Sequence, residues 1–352
     1  MGDDLNRQWR LAHRPKGMVK ESDFSYHESP VPEPGDGQFL VRNLYLGFDP
    51  AMRMWMTATD RPGYVPHFEI GDVIRAACVG QVVASRHPAF QRGDFVRGSF
   101  GWQDYVATTG EGMLPATKLE PGMPLTMPLS VLGITGLTAY FGLLDIGRPR
   151  AGDTVVVSGA AGATGSVAGQ VAKILGCRVI GIAGGREKCD WLTGEAGFDA
   201  AIDYQNEPVH ARLRELCPAA IDVFFDNVGG EVLEAALAEI ARGARVVLCG
   251  GISLYNAETW PPGPRNYLAL LSQRARMEGF MVLDFAARFA EAERALSSWV
   301  AAGSLTYRED IQEGFENAPK TLLRLFEGKN VGKQLLRIAE PQLGGSDRAM
   351  GG

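Results

Sequence analysis

The chain has 352 residues, 45% hydrophobic and 22% charged, with 44 Gly and 20 Pro. That length accommodates about two domains and a core that needs no disulfide or metal to hold it. Thirty-five basic against 41 acidic residues give a formal net charge of −6, which argues against the basic footprint of a nucleic-acid-binding protein.

At the amino end, Met1-Gly2-Asp3-Asp4 lacks the basic and apolar regions of a secretory signal. Asn6 stands where a myristoylation signal needs Ser or Thr. Short alternating or β-branched runs follow at 38–46, 73–85, 94–100 and 104–108, separated by Pro34-Gly35-Asp36-Gly37 and Arg92-Gly93-Asp94. Strands punctuated this densely predict a small barrel or sandwich. The uncharged stretch 121–144 is broken by Pro121, Pro124, Pro128, Gly133, Gly136 and Gly142. It therefore predicts a buried connector and helix, with no membrane partner.

From about residue 150 the rhythm becomes strand–helix–strand. Strands are expected at 154–159, 178–184, 200–204, 221–228, 244–250 and 277–283. Val167, Val171, Ile174 and Leu175 share one helical face, and Leu233, Leu237 and Ile240 another. Apolar strands alternating with helices predict an α/β fold with a parallel sheet covered on both faces. A long helix is expected at about 285–302, then a short helix, a strand at about 333–338 and a disordered Gly-rich tail at 341–352. The five cysteines, at 78, 177, 189, 217 and 249, form no Cys-x-x-Cys. They fit free thiols in a reducing, cytoplasmic compartment.

The strongest local signal is the strand Val155-Val156-Val157-Ser158, running into Gly159-Ala160-Ala161-Gly162-Ala163-Thr164-Gly165 and a helix. Small residues let backbone approach a pyrophosphate, and the helix start offers free N–H groups and a positive dipole end. A tight strand–helix turn in any α/β protein would use similar residues. The next strand ends in Ala183-Gly184-Gly185-Arg186-Glu187-Lys188, with no acid at its tip and two cations following. An NAD site wants a carboxylate there, whereas cations suit the 2′-phosphate of NADP. Zinc needs three or four converging ligands; the close pair His67-x-Glu69 has no cysteine neighbour, so no metal site is expected. Without zinc, a tyrosine near the cofactor must stabilise charge on a substrate. Tyr255, leaving the carboxyl end of the fifth strand, is the first candidate, although a loop tyrosine also serves as a packing anchor.

As a whole, about residues 5–338 resemble the zinc-independent medium-chain dehydrogenases/reductases. Within these the chain is most similar to the leukotriene B4 dehydrogenase/prostaglandin reductase, alkenal double-bond reductase and curcumin-reductase-like group. The matching segments include Asn6-Arg7-Gln8-Trp9-Arg10-Leu11, Asp49-Pro50-Ala51-Met52-Arg53, Gly101-Trp102-Gln103-Asp104-Tyr105 and Asp226-Asn227-Val228-Gly229-Gly230. Gly133-Ile134-Thr135-Gly136-Leu137-Thr138-Ala139-Tyr140 and Gly328-Lys329-Asn330-Val331-Gly332-Lys333 also match. The resemblance implies a GroES-like β-barrel catalytic domain from 1–128 and 304–340, around a doubly wound Rossmann domain at 129–303. It implies NADPH-dependent reduction of the carbon–carbon double bond of α,β-unsaturated ketones or aldehydes, by hydride transfer to the β-carbon, in a homodimer.

By the same resemblance, Gly162, Ala163, Thr164 and Gly165 would hold the diphosphate, and Lys188 and Tyr204 the 2′-phosphate, with Arg186 nearby. Asn227, Cys249, Gly250, Ile252, Ser253, Tyr255, Phe280, Met281, Val282 and Asn330 would line the rest of NADP(H), and Thr138 the nicotinamide. Tyr64, in Gly63-Tyr64-Val65-Pro66, matches a family tyrosine and joins Tyr255 as a catalytic candidate. The chain has Arg75-Ala76-Ala77 where zinc-dependent relatives carry Gly-His-Glu, and Ala51 where plant members often carry a substrate-contacting tyrosine. A quinone reductase of the same superfamily, or a protein that holds NADPH without turnover, are the competing readings.

Overall fold

The computed structural model describes residues 5–58 and 64–342. An antiparallel hairpin of β1 (Leu5–Leu11) and β2 (Phe24–Pro30) opens the chain. The sequence reading missed it, because its alternation is broken by polar residues that carry specific contacts. Asn6 Nδ2, for example, donates to the Tyr105 carbonyl at 2.9 Å, and Trp9 Nε1 to that of Phe315 at 3.0 Å.

Strands β3 (Phe39–Gly47), β4 (Ala77–Ser85), β5 (Phe95–Ser99), β6 (Tyr105–Thr108) and β7 (Thr117–Lys118) build the amino-terminal β domain. β3, β5 and β6 lie within a residue or two of the expected runs, β4 begins at Ala77 and leaves Val73 in an isolated bridge to Arg10, and the two-residue β7 was not expected.

The parallel sheet consists of β8 (Thr154–Ser158), β9 (Arg178–Ala183), β10 (Ala200–Asp203), β11 (Ile221–Asp226), β12 (Ile240–Leu248) and β13 (Arg276–Gly279). Their spatial order is β10-β9-β8-β11-β12-β13, so the chain reverses direction across the sheet between β8 and β11. Residues one apart face opposite layers: Val155 and Val157 pack in one buried cluster, Val156 in the other. This is why the strands read as continuous apolar runs.

Two expectations are corrected. Ile240 starts β12 instead of ending a helix: the helix Gly230–Leu237 stops, and Ile240 pairs with Ile221. Its i+7 spacing from Leu233 is coincidental with a strand whose own alternation continues through Ala244 and Val246. The long α-helix begins at Phe289, after a 3₁₀ segment Val282–Arg288, in which Phe285 stacks on Phe141 with centroids 4.7 Å apart.

Two last strands, β14 (Glu309–Glu313) and β15 (Lys333–Arg337), rejoin the amino-terminal sheet, whose order is β14-β15-β3-β4-β5-β7 with β6 also on β3. Both parts of the chain thus share one sheet. Gln342 exchanges hydrogen bonds with the Gln81 side chain at 2.8 and 3.2 Å; the remainder of the expected tail, 343–352, lies outside the described residues. The stretch 121–144 contains the helix Ile134–Phe141, and among the described residues no helix is long and apolar enough to cross a membrane.

Candidate active site

A cleft of about 1240 Å³ lies between the parallel sheet and the β domain, at the carboxyl ends of the strands. Its polar end is made by the loop after β8. Gly159 takes a positive φ of +59°, Gly162 caps the helix Ala163–Ile174, and the Ser166 N–H returns to the Gly162 carbonyl at 3.0 Å. The first-turn N–H groups of that helix have no intrahelical partner and form the positive end of its dipole. A Cβ on Gly165 would come within 2.4 Å of the Gly159 carbonyl oxygen, so only glycine lets the helix lie this close to the strand. From the other domain, the Gly332 N–H donates to the Ala161 carbonyl at 2.8 Å. Gly162, Ala163, Thr164 and Gly165 all line the cleft.

Beside this loop, Lys188 and Tyr204 line the same cavity. Lys188 Nζ donates to the Gly328 carbonyl at 2.6 Å, and burial holds its pKa below the usual lysine value. Gly184 makes room for Tyr204, since a Cβ there would stand 2.9 Å from the phenol ring. Arg186 is placed differently: its side chain is 92% exposed, reaches Asp190 at 3.4 Å, and does not line the cleft.

The floor is a network that the sequence did not show. Asp226 is fully buried; its Oδ1 accepts the Ser158 hydroxyl at 2.7 Å and the Val228 and Gly229 N–H groups at 3.0 Å. Asn227 Nδ2 donates to the Ser158 carbonyl at 2.7 Å. Together these bonds lock the loops after β8 and β11 to each other. Burial pushes the Asp226 carboxyl above the usual range and the Cys249 thiol up to about 12. Asn227, Cys249, Gly250, Ile252 and Ser253 line the cleft, as do Phe280, Met281, Val282, Thr138 and Asn330.

The far end is apolar, walled by Met18, Ala51, Trp55, Tyr64, Met113 and Trp260. Tyr255 also lines the cleft and packs against the β-domain cluster. Its oxygen accepts the Gly251 N–H at 3.0 Å, and its phenol is pushed up to about 12, chiefly by burial and against the Gly251 bond. Tyr64 adds to that upward shift, so the two candidate tyrosines lie near each other. On the cleft lining, Lys333 (side chain 3% exposed) donates to Asp49 Oδ1 at 2.6 Å and to the Phe48 carbonyl at 3.1 Å. Lys333 and Arg53 both occur in segments that carry the family resemblance, but only the fold reveals their partners.

A phosphate-sized cradle with unpaired N–H groups, a nearby buried ammonium, and a long cleft leading to a protonated phenol fit a dinucleotide with an additional phosphate and an apolar partner molecule. His67 and Glu69 pair with each other at 3.0 Å, and among the described residues no three His, Cys, Asp or Glu side chains come together as metal ligands.

Residues 7–116 match the family described as the N-terminal domain of oxidoreductase, and 163–298 that described as zinc-binding dehydrogenase. The chain is 43% identical over 339 residues to the NADPH-dependent curcumin reductase of Escherichia coli, covering 95% of this chain and 97% of that one. The chain belongs to the zinc-independent medium-chain dehydrogenases/reductases. Another of these medium-chain enzymes, the 2-alkenal reductase (NADP(+)-dependent) of Nicotiana tabacum, is 39% identical over 95% of this chain and 98% of its own. The crystal structure of CurA in complex with NADPH from Vibrio vulnificus superimposes with a TM-score of 0.90 at 41% identity, over 95% of this chain and 100% of that one.

Proposed function

We propose that this medium-chain enzyme is an NADP(H)-dependent oxidoreductase that reduces the carbon–carbon double bond of α,β-unsaturated ketones or aldehydes. The observation that carries the reading is Tyr255: its oxygen accepts the Gly251 N–H, leaving its own proton free, and it lines the same cleft as the phosphate cradle. The family relationship supplies the cofactor class.

In this reading the first-turn N–H groups from Gly162 to Gly165 hold the diphosphate. Lys188 and Tyr204 hold the 2′-phosphate, while Arg186 acts from solvent through its charge alone. NADPH, when bound, supplies the hydride that goes to the β-carbon. The apolar wall around Trp55 and Tyr64 orients the substrate. As negative charge builds on the carbonyl oxygen, the Tyr255 O–H donates to it and stabilises it. A phenol this weakly acidic is a poor proton donor but a persistent hydrogen-bond donor. The α-carbon proton therefore comes from solvent. Following loss of nicotinamide absorbance with a panel of enones, enals, quinones and alcohols tests the reading; turnover of quinones alone would replace it.

The same proposal includes a cytoplasmic homodimer. All five cysteines are free, as a reducing compartment requires. Strand β13 is the edge of the parallel sheet, with Tyr267, Leu268 and Leu271 exposed by 57, 60 and 77% on the preceding segment. An exposed edge strand beside apolar side chains is a template for pairing with a second copy. Sedimentation of the parent and of Leu271→Asp, expected as dimer and monomer respectively, checks it.

A further inference from the structure

Arg53 is 4% exposed, yet among the described residues no carboxylate stands within ion-pair distance of it. Its donors go instead to three oxygens from two segments far apart in sequence. Nη2 reaches the Pro15 carbonyl at 3.2 Å and the Gly17 carbonyl at 3.1 Å, and Nε reaches Asn256 Oδ1 at 3.0 Å. The same Asn256 oxygen accepts the Val19 N–H at 3.4 Å. The Asp23 carboxylate acts on Arg53 only through space, so these oxygens carry the hydrogen bonds that its burial requires. The planar guanidinium fixes their directions as a flexible ammonium would not.

The placement of this cluster is what gives it meaning. Arg53 and residues 15–19 belong to the β domain, whereas Asn256 follows β12 of the parallel sheet. Adjoining Asn256, Tyr255 crosses the same boundary, because its ring packs against the β domain's hydrophobic cluster. Between β12 and this point the chain has only one short 3₁₀ turn, Ile252–Leu254. The position of the Tyr255 hydroxyl is therefore set by two attachments: the Gly251 N–H on its own loop, and Asn256 held from across the cleft.

We propose that Arg53 and Asn256 form a pin across the cleft that fixes the Tyr255 hydroxyl relative to the β-domain wall, making both positioning residues for the reduction. This inference rests on the reading of Tyr255 as the donor to the substrate oxygen. Asn256 lines the cleft and Arg53 does not; both act through the tyrosine, and the Tyr255→Phe background separates this from direct contact by Asn256.

A double-mutant cycle tests the pin. Asn256→Leu removes the accepting oxygen and is expected to lower single-turnover hydride transfer about a hundredfold, the cost of a misplacement near 1 Å. NADPH affinity, measured by fluorescence titration, should change less than about threefold. Asn256→Asp keeps the oxygen and is expected to restore most of the lost rate. On a Tyr255→Phe background, Asn256→Leu should have almost no further effect, because the hydroxyl it positions is already gone. Equal losses with and without that hydroxyl would overturn the pin while leaving Tyr255 as the donor. A Tyr255→Phe enzyme with its rate intact would overturn both.

Hydrogen exchange on the protein without cofactor supplies a readout independent of turnover. Asn256→Leu should speed exchange in 15–19 and in 250–256 together; faster exchange confined to the second segment would show no linkage across the cleft. Arg53→Lys provides a second route should Asn256→Leu fail to fold. It retains the charge but lacks the fork, and is expected to reproduce both the kinetic and the exchange signature.

Discussion

The Tyr255 oxygen accepts the Gly251 N–H at 3.0 Å, so the bond that anchors the phenol does not consume its proton. Removing the hydroxyl alone isolates what that proton does. Tyr255→Phe is expected to reduce the single-turnover reduction rate about a hundred- to a thousandfold, the range seen when one oxyanion donor is lost. NADPH affinity should barely change. If most of the rate survives, Tyr255 is a wall of the pocket and Tyr64 inherits the role.

The same phenol predicts a pH dependence. An unperturbed tyrosine titrates near 10, and a donor with that value would be half lost at pH 10. Burial pushes Tyr255 up to about 12, which extends the neutral, donating form upward. The hydride-transfer rate should therefore stay level through pH 10 and decline only as pH approaches 12. A descending limb centred near 10 in the parent, absent from Tyr255→Phe, would contradict this.

Lys188 should set the choice of cofactor. A charge-assisted contact with the 2′-phosphate contributes about 1.5–3 kcal/mol, or roughly ten- to more than a hundredfold in affinity. Lys188→Ala should raise the Michaelis constant for NADPH by that factor and leave NADH nearly unchanged. Equal effects on the two cofactors would assign Lys188 to its bond with the Gly328 carbonyl alone.

The five thiols should be unusually inert. Burial is the leading cause that raises each of them, Cys78 and Cys249 to about 12 and Cys177, Cys189 and Cys217 to about 11. At pH 8 the thiolate fraction falls to about a thousandth or less, so alkylation by iodoacetamide should run at least about a hundredfold slower than for free cysteine. Mass spectrometry after timed labelling checks it. For an enzyme proposed to take enones, which alkylate thiolates, the Cys249 value also predicts survival of prolonged exposure to its own substrate.

Lys333 and Asp49 bear on stability. Asp49→Ala leaves a buried ammonium with only the Phe48 carbonyl, and should cost about 3 kcal/mol in denaturant unfolding. Lys333→Met combined with Asp49→Leu should recover much of it. A negligible loss in Asp49→Ala would mean that water replaces the carboxylate.

Much of this architecture was legible because it is local. The alternation of strands and helices after residue 150, and the small residues from Gly159 to Gly165, follow from neighbours along the chain. The resemblance added the cleft residues segment by segment. Partnerships across the fold were not legible. Nothing near Arg53 announces that its acceptor is Asn256, nor near Lys333 that it closes on Asp49, because each pair joins segments hundreds of residues apart. Arg186 shows the opposite error: cation spacing placed it beside Lys188, but on this helix it projects into solvent.

Leu336 pairs with Leu46 in the amino-terminal sheet, and the Gly332 N–H meets the phosphate loop at Ala161. Contacts this distant in sequence form late, whereas the βα units of the parallel sheet need only near neighbours. During synthesis β6 covers Phe39–Arg42 of β3 early, whereas the Tyr45–Gly47 end waits uncovered until β15 leaves the ribosome. A nascent chain stalled before Lys333 would carry a nearly finished nucleotide fold and an open sheet edge, the form most exposed to aggregation and chaperone capture.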